Sequence, residues 1–422
     1  MTLYEIYQQY PIITTDSRDC PKNSIFFALK GESFDGNQYA LSAIKKGCSF
    51  AVVDDTSLIN TIDETTKERL IFVPNVLNAL QDLARKHRQS LGTTIIGVTG
   101  TNGKTTTKEL IAAVLQERYN ILYTQGNFNN HIGVPKTLLG LRQEHELAVV
   151  EMGANHPGEI RTLVNIAEPN YGIITNVGKA HLEGFGSLEG VIRTKGELYD
   201  FLRDHRGKAF INEKNPYLMA ISEGLTLIKY GNEGRIISCD PFICYEWNGI
   251  TIQTQLIGAY NLDNCLAATA VGQQFGITDE QICHAITHYK PTNNRSQFKK
   301  TQHNALIIDA YNANPTSMMA ALENFSAMNA ANKMLILGDM KELGSSSEEE
   351  HAKIVKYIIT CGVKNVWLVG NEFCKTATDD MRTFQDVDEV ITELKNTPLY
   401  GHTILIKGSN STHLMNVVPL ID

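Results

Sequence analysis

The sequence predicts a three-domain α/β protein, and three observations carry that expectation. The chain has 422 residues, too many for one ordinary hydrophobic core. Two separate stretches alternate strand-like apolar runs with helix-length segments, the pattern of mostly parallel sheets flanked by helices. A glycine-rich turn joins the first strand of the earlier stretch to its first helix.

Residues 1–85 form the first expected domain, a small α/β unit with short strands in SIFFALK, SFAVVDD and RLIFVPN among polar turns. The central domain, 86–292, runs through TTIIGVTG, TTTKELIAAVLQERY, ILYT, HIGVPKTLLGL, ELAVVEMG, PGEIRTLVNIA and YGIITNVG. Gly-bounded apolar runs of strand length alternate there with 3.6-periodic segments, as in a P-loop nucleotide domain with a mostly parallel sheet. A second such series starts at ALIIDAY and continues through NPTSMMAALENFSAM, KMLILGD, SSEEEHAKIVKYIITCG, NVWLVG, DVDEVITELKN and HTILIKGS, so 293–422 reads as a Rossmann-like α/β domain. The polar, proline-bearing KPTNNRSQ marks the joint between these two.

Composition narrows the function classes. Hydrophobic residues make up 42% and charged residues 20%, a globular balance rather than a disordered one. The opening thirty residues lack a basic start followed by an apolar signal segment, and no apolar run approaches the roughly 20 residues of a membrane span. Eight cysteines show no CxxC pair, which fits reduced thiols. A net charge of -8 argues against a nucleic-acid partner. A cytoplasmic, monomeric enzyme is the expectation.

The sharpest motif is the run from Gly97 to Thr106, which follows a strand and opens a helix. Glycines let backbone N–H groups turn toward phosphate oxygens, and the helix N-terminus adds positive potential. Lys104 reaches the terminal phosphates and Thr105 offers a hydroxyl to Mg2+. The spacing is a variant, because Val98 stands where the common pattern has its first glycine. Gly100, Thr101, Asn102, Gly103, Lys104, Thr105 and Thr106 are therefore the nucleotide-binding candidates. Glu151 ends a strand-like run, where ligands of open α/β sheets gather. Lys195 shares an apolar stripe with Leu188, Ile192, Tyr199 and Leu202, so it is either snorkelling or functional.

TGTNGKTT resembles the phosphate loop of the Mur ligases and their folylpolyglutamate synthase relatives. The resemblance continues in GNFNNHIGVPKTLL, EMGANHPGEI, ITNVGKAHLEGFGSLEGVIRTKGELYDFL, GAYNLDNCLAA, DAYNANPTSMMAAL, ILGDMKELG and IKGSNS, essentially the whole chain. The form EMGANHPGEI resembles the branch that adds D-alanyl-D-alanine, and the DNPR-type signature of the diaminopimelate-adding relative is absent. The resemblance implies an ATP-dependent amide ligase acting on UDP-N-acetylmuramoyl tripeptide and D-alanyl-D-alanine through an acyl phosphate. The alternatives are another amino-acid ligase of the family, a folylpolyglutamate synthase-like enzyme, or a P-loop NTPase that makes no amide bond.

The same resemblance assigns roles. It makes Glu151 and His181 Mg2+ ligands and Lys195 a CO2-derived carbamate, which with Thr105 gives two Mg2+ sites. Asn261 and Asn264 border the adenine pocket, while Arg295 and Asp309 reach ATP phosphates and ribose. Ser17, Arg18 and Lys30 hold the UDP-sugar, and Asn127, Asn129 and Asn130 face the substrate. Lys407 and Ser409 are candidates for the incoming dipeptide. Some relatives carry a lysine where this chain has Tyr311, so no phosphate-clamping lysine is assigned there.

Overall fold

The protein, represented by a computed structural model, is described for residues 1–61, 63–291 and 295–422. The chain divides into two compact units. The first holds Met1–Gly97, Tyr119–Met152 and Arg161–Asn170; the second holds Val98–Arg118, Gly153–Ile160 and Tyr171–Asp422. The strand Thr94–Thr99 begins in the first unit and delivers its last two residues to the second.

In the first unit, Ile12–Thr14, Ser24–Phe27, Phe50–Val53 and Leu70–Phe72 form a four-stranded parallel sheet in chain order. Phe26, Ala51 and Val53 pack there with Ala40, Ala43 and Ile44 of the neighbouring helix and turn. The helix Val76–Leu91 is capped by the Asn75 side chain, which accepts from the Asn78 N–H at 2.9 Å, and ends on left-handed Gly92. The domain boundary expected after residue 85 thus falls inside a continuous helix; the chain first breaks at Gly92, where a glycine cap stops the turn. Ile121–Tyr123 and Leu147–Glu151 pair in parallel, and the second of these is buried along its whole length.

In the second unit, Tyr171–Ile174, Lys208–Asn212 and Thr226–Tyr230 pair in parallel. Gly234–Cys239, Phe242–Trp247 and Ile250–Ile257 form an antiparallel sheet that sequence reading left without elements. The C-terminal sheet has six strands in the order Gln297–Lys300, Ala305–Asp309, Thr403–Lys407, Lys333–Gly338, Asn365–Val369 and Arg382–Phe384. All its pairings are parallel except the first, which is antiparallel. Alternation splits its strands between two cores: Ile307, Leu335, Leu337 and Leu405 meet the helices Pro315–Ala327 and Ser347–Cys361, whereas Leu306, Ile308, Ile336 and Ile406 meet Val387–Asn396. The expected joint at 292/293 lies outside the described residues. Among the described residues no helix is long and apolar enough to cross a membrane.

Candidate active site

The phosphate loop is built by close packing against the turn after Tyr171–Ile174. Gly100 has φ +144°, and a Cβ there would stand 2.0 Å from Thr175 Oγ1, so only glycine lets the loop lie this close. The N–H groups of Thr101 and Asn102 donate to the backbone and side-chain oxygens of Asn176, each at 2.9 Å. The Asn102 carbonyl accepts from Thr175 Oγ1 at 2.6 Å and from Asn176 Nδ2 at 3.0 Å. Gly103 then caps the helix Lys104–Gln116. Lys104 donates to the carbonyls of Gly100 and Thr101, at 2.8 and 3.0 Å, which folds its ammonium back over the loop.

Asn261 and Asn264 open the helix Asn261–Gln274 and are both buried. The Asn264 amide oxygen accepts from Thr107 Oγ1 at 3.0 Å, its Nδ2 donates to Asn261 at 2.7 Å, and Asn261 Nδ2 donates to the Ile257 carbonyl at 2.7 Å. The pair braces the helix behind the phosphate loop.

Lys195 sits in the helix Leu188–Asp204, started by Ser187, whose Oγ accepts from the Gly190 N–H at 3.2 Å. The residue is 2% exposed. Its amine donates to the Ala154 carbonyl at 3.2 Å and lies 5.3 Å from the centre of the Phe185 ring. Nearby carboxylates are engaged by backbone N–H groups: Glu159 accepts from Asn155 at 2.7 Å and His156 at 3.0 Å, and Glu197 accepts from Gly158 at 2.9 Å. Burial holds the Lys195 pKa well below the usual lysine range, and repulsion from Lys104 adds to that; Glu159 and Glu197 pull weakly the other way. The arrangement favours a neutral, nucleophilic amine.

His181 has a left-handed backbone at φ 50° and starts the short helix Leu182–Phe185. Its Nδ1 pairs with the Glu342 carboxylate, which the contact holds below the usual glutamate range. Asp309 and Lys407 are register partners on adjacent strands and form an ion pair, with Lys407 almost fully buried. Asp309 also accepts from the Ser296 N–H at 3.3 Å. Arg295 stacks 4.1 Å from the centre of the Tyr311 ring, the position where no lysine was assigned. Ser409 Oγ accepts from the Lys341 N–H at 3.0 Å.

In the first unit, Glu151 is 1% exposed and ends its buried strand. One carboxylate oxygen accepts from Asn129 Nδ2 at 2.8 Å, while the other, Oε2, is buried without a hydrogen-bond partner. An orphaned, buried carboxylate oxygen is the signature of a missing cation or donor, so Glu151 fits a metal ligand. Asn130 Oδ1 accepts from the N–H groups of Ile132 at 3.1 Å and Gly133 at 2.8 Å, in the turn that leads into the helix Gly133–Leu138. Arg18 is exposed and paired at 2.7 Å with Asp16, which it holds at a pKa of about 2; Lys30 pairs at 2.9 Å with Asp54. The Ser17 carbonyl accepts from Lys46 at 2.7 Å.

Three expectations change in this geometry. Thr101 and Asn102 spend their N–H groups on Asn176, so they shape the loop and leave phosphate contact to the residues that follow. Lys407 is not a free cation for a dipeptide, because the adjacent strand supplies Asp309 as its counter-ion. The oxygen of Asn130 is committed to the N–H groups of Ile132 and Gly133. Among the described residues, no three His, Cys, Asp or Glu side chains converge as a ready-made metal cage. Sequence reasoning missed Thr175, Asn176, Asn314, Glu342 and Glu350. Of these only Asn314 carried a local signal, as a cap residue preceding Pro315.

Similarity to known proteins covers all of these parts. Residues 9–88 match the model of the Mur ligase family catalytic domain, 98–272 the Mur ligase middle domain, and 294–410 the Mur ligase glutamate ligase domain. The UDP-N-acetylmuramoyl-tripeptide–D-alanyl-D-alanine ligase of Bacillus subtilis is 34% identical, with 98% of this chain and 93% of that protein aligned. The ligase of the same name from Haemophilus influenzae is 36% identical, over 96% and 92%. A crystal structure of MurF from Acinetobacter baumannii superposes with a TM-score of 0.87 at 28% identity, covering 100% of this chain and 98% of that one. Agreement of this extent, through the phosphate loop, the Lys195 helix and the C-terminal sheet alike, makes the chain a member of the Mur ligase family.

Proposed function

We propose that this protein is the ATP-dependent ligase that joins D-alanyl-D-alanine to UDP-N-acetylmuramoyl tripeptide, releasing ADP and phosphate. Near-complete alignment with ligases of that name supports the substrate assignment. The observation that carries the chemistry is Lys195, a buried amine that donates to the Ala154 carbonyl and lies in the same unit as the phosphate loop. A nucleotide switch has no use for such a group, and leaving one buried without function costs stability.

The tripeptide carboxylate attacks the γ-phosphorus of ATP; the bond to the bridging oxygen breaks and ADP departs. The dipeptide amine then attacks the acyl-phosphate carbonyl, phosphate leaves, and the new amide loses a proton to solvent. Two anions meet in the first step, so positive charge must be fixed in place beforehand. In this reading Lys104 leaves its loop carbonyls to meet the terminal phosphates, while the N–H groups of Gly103 to Thr106 and the helix dipole receive the rest. Divalent cations would neutralise phosphate charge and hold the in-line geometry. Thr105 and His181 in the second unit, and Glu151 in the first, are the residues assigned to hold them. The neutral Lys195 amine would add to CO2, its lone pair forming the N–C bond and its proton passing to water, to give a carbamate whose oxygens ligate a cation. Arg295 and Asp309 are assigned to ATP, Asn261 and Asn264 to the border of the adenine pocket, and Ser17, Arg18 and Lys30 to the UDP-sugar. A cytoplasmic location belongs to the same reading.

Purified protein incubated with MgATP, UDP-N-acetylmuramoyl tripeptide and D-alanyl-D-alanine should release phosphate only when all three are present, and mass spectrometry should show the pentapeptide product. Phosphate release indifferent to either peptide substrate would exclude the ligase. Turnover with a single amino acid instead of the dipeptide would move the chain to another branch of the family.

A further inference from the structure

The phosphate loop is gripped from two sides, and only one grip comes from the neighbouring turn. Thr175 and Asn176 hold the backbone of Asn102. The side chain of Asn102 faces Asn314, 212 residues away: Asn314 Nδ2 donates to Asn102 Oδ1 at 2.8 Å, and the reverse contact measures 3.5 Å. Asn314 is itself immobilised. Its Oδ1 caps the helix Pro315–Ala327 by accepting from the Ser317 N–H at 2.9 Å, and its own N–H donates to Ser317 Oγ at 3.1 Å.

Three further contacts join the same two segments. A Cβ on Gly178 would stand 2.9 Å from Thr316 Oγ1, so a glycine is what allows this helix start to approach the turn. Lys179 pairs with Glu350 at 2.9 Å, and His181 pairs with Glu342. The partners from 314 to 350 all lie in the C-terminal segment, and those from 102 to 181 in the phosphate loop or the stretch that follows the strand Tyr171–Ile174.

We propose that Asn314 is a positioning residue that couples nucleotide binding to seating of the C-terminal segment, acting through Asn102. The inference rests on the ATP reading above and adds a residue to it. Among the described residues, Asn314 supplies the hydrogen-bond partner of the Asn102 side-chain amide in its phosphate-loop conformation. By reciprocity, a nucleotide that fixes the loop favours the seated C-terminal segment by the same factor. The coupling is local and reciprocal: it passes through one amide pair, with the Lys179–Glu350 ion pair and the His181–Glu342 contact joining the same two segments.

Asn314→Ser tests this, because serine keeps an oxygen for the helix cap but loses the donor that reaches Asn102. Calorimetry with MgADP should show affinity about tenfold weaker than wild type, and steady-state kinetics should show KM for ATP raised by a similar factor with kcat changed by less than about twofold. Asn102→Ala should give a matching loss, and the double variant should be no weaker than either single one. A melting temperature for Asn314→Ser close to wild type separates the effect from misfolding. Unchanged MgADP affinity in Asn314→Ser, a fall in kcat without a rise in KM, or losses that multiply in the double variant would each overturn the coupling. Wild-type protein that binds no MgADP would overturn the ATP reading as well, so the two failures are distinguishable.

Discussion

Lys195 and Gly100 show how much a single residue can carry. Lys195→Ala should reduce turnover to background, with partial recovery on adding a short carboxylate that replaces carbamate oxygens; full activity of the unsupplemented variant would refute the carbamate. Stability should move the other way. The folded-state pKa of Lys195 lies well below its free value of 10.5. When the pH falls below about 10.5 the unfolded chain takes up a proton that the folded chain refuses, so this residue makes stability rise with pH across the window from its folded pKa to 10.5. Lys195→Met removes the buried amine and its pH slope. Thermal melts should show the variant more stable at neutral pH by about 2 kcal/mol, with a flatter profile toward alkaline pH. Gly100→Ala is the opposite case: its Cβ would overlap Thr175 Oγ1, and the backbone sits at φ +144°. A loss of at least about 3 kcal/mol, or soluble protein unable to bind MgADP, is expected from denaturant titration and calorimetry.

Elements are held by a few buried polar groups whose partners come from elsewhere in the chain. Asp339 is fully buried and accepts from the N–H groups of Glu372 at 3.2 Å and Phe373 at 3.0 Å, capping the helix Asn371–Thr376 from the end of another strand. His351, equally buried, accepts from the Met340 N–H at 3.0 Å and donates from Nδ1 to the Ser347 carbonyl at 2.7 Å. Asp339→Ala leaves two N–H groups without a buried partner and should cost about 3 kcal/mol in chemical denaturation, whereas Asp339→Asn keeps one acceptor and should cost about half of that. None of this was legible in the sequence, where Asp339 only closes the apolar run KMLILGD. The helices were legible because apolar periodicity survives in them: Leu188, Ile192, Tyr199 and Leu202 mark one face of Leu188–Asp204. The strand Gly234–Cys239 was not, because it lies at a sheet edge, mostly exposed, and so lacks an apolar run. The site divides in the same way. The phosphate loop announces itself by contiguous residues, whereas Asn176 and Asn314 reach it from distant positions as amides without periodicity, and only the fold brings them together.

The second unit contains the phosphate loop, the Lys195 helix and the whole C-terminal sheet, so a ligand on the loop should be felt across that unit. A nucleotide that binds only the folded state stabilises it by about 2.7 kcal/mol at a concentration one hundred times its Kd. How that stabilisation is distributed distinguishes a rigid loop from a coupled one. Were the loop isolated, amide exchange would slow only in the turns that hold it, around Gly100–Thr106 and Thr175–Gly178. With Asn102 bonded to Asn314, Lys179 to Glu350 and His181 to Glu342, protection should extend to the start of Pro315–Ala327 and to the segment from Asp339 to Glu350. Hydrogen exchange with and without MgADP should therefore show two clusters of protected peptides far apart in sequence. In Asn314→Ser the cluster around residue 315 should fade while the loop itself stays protected at saturating nucleotide. Equal protection of the C-terminal cluster in both proteins would mean that the seated arrangement is held by the Lys179–Glu350 and His181–Glu342 contacts alone and owes nothing to the loop.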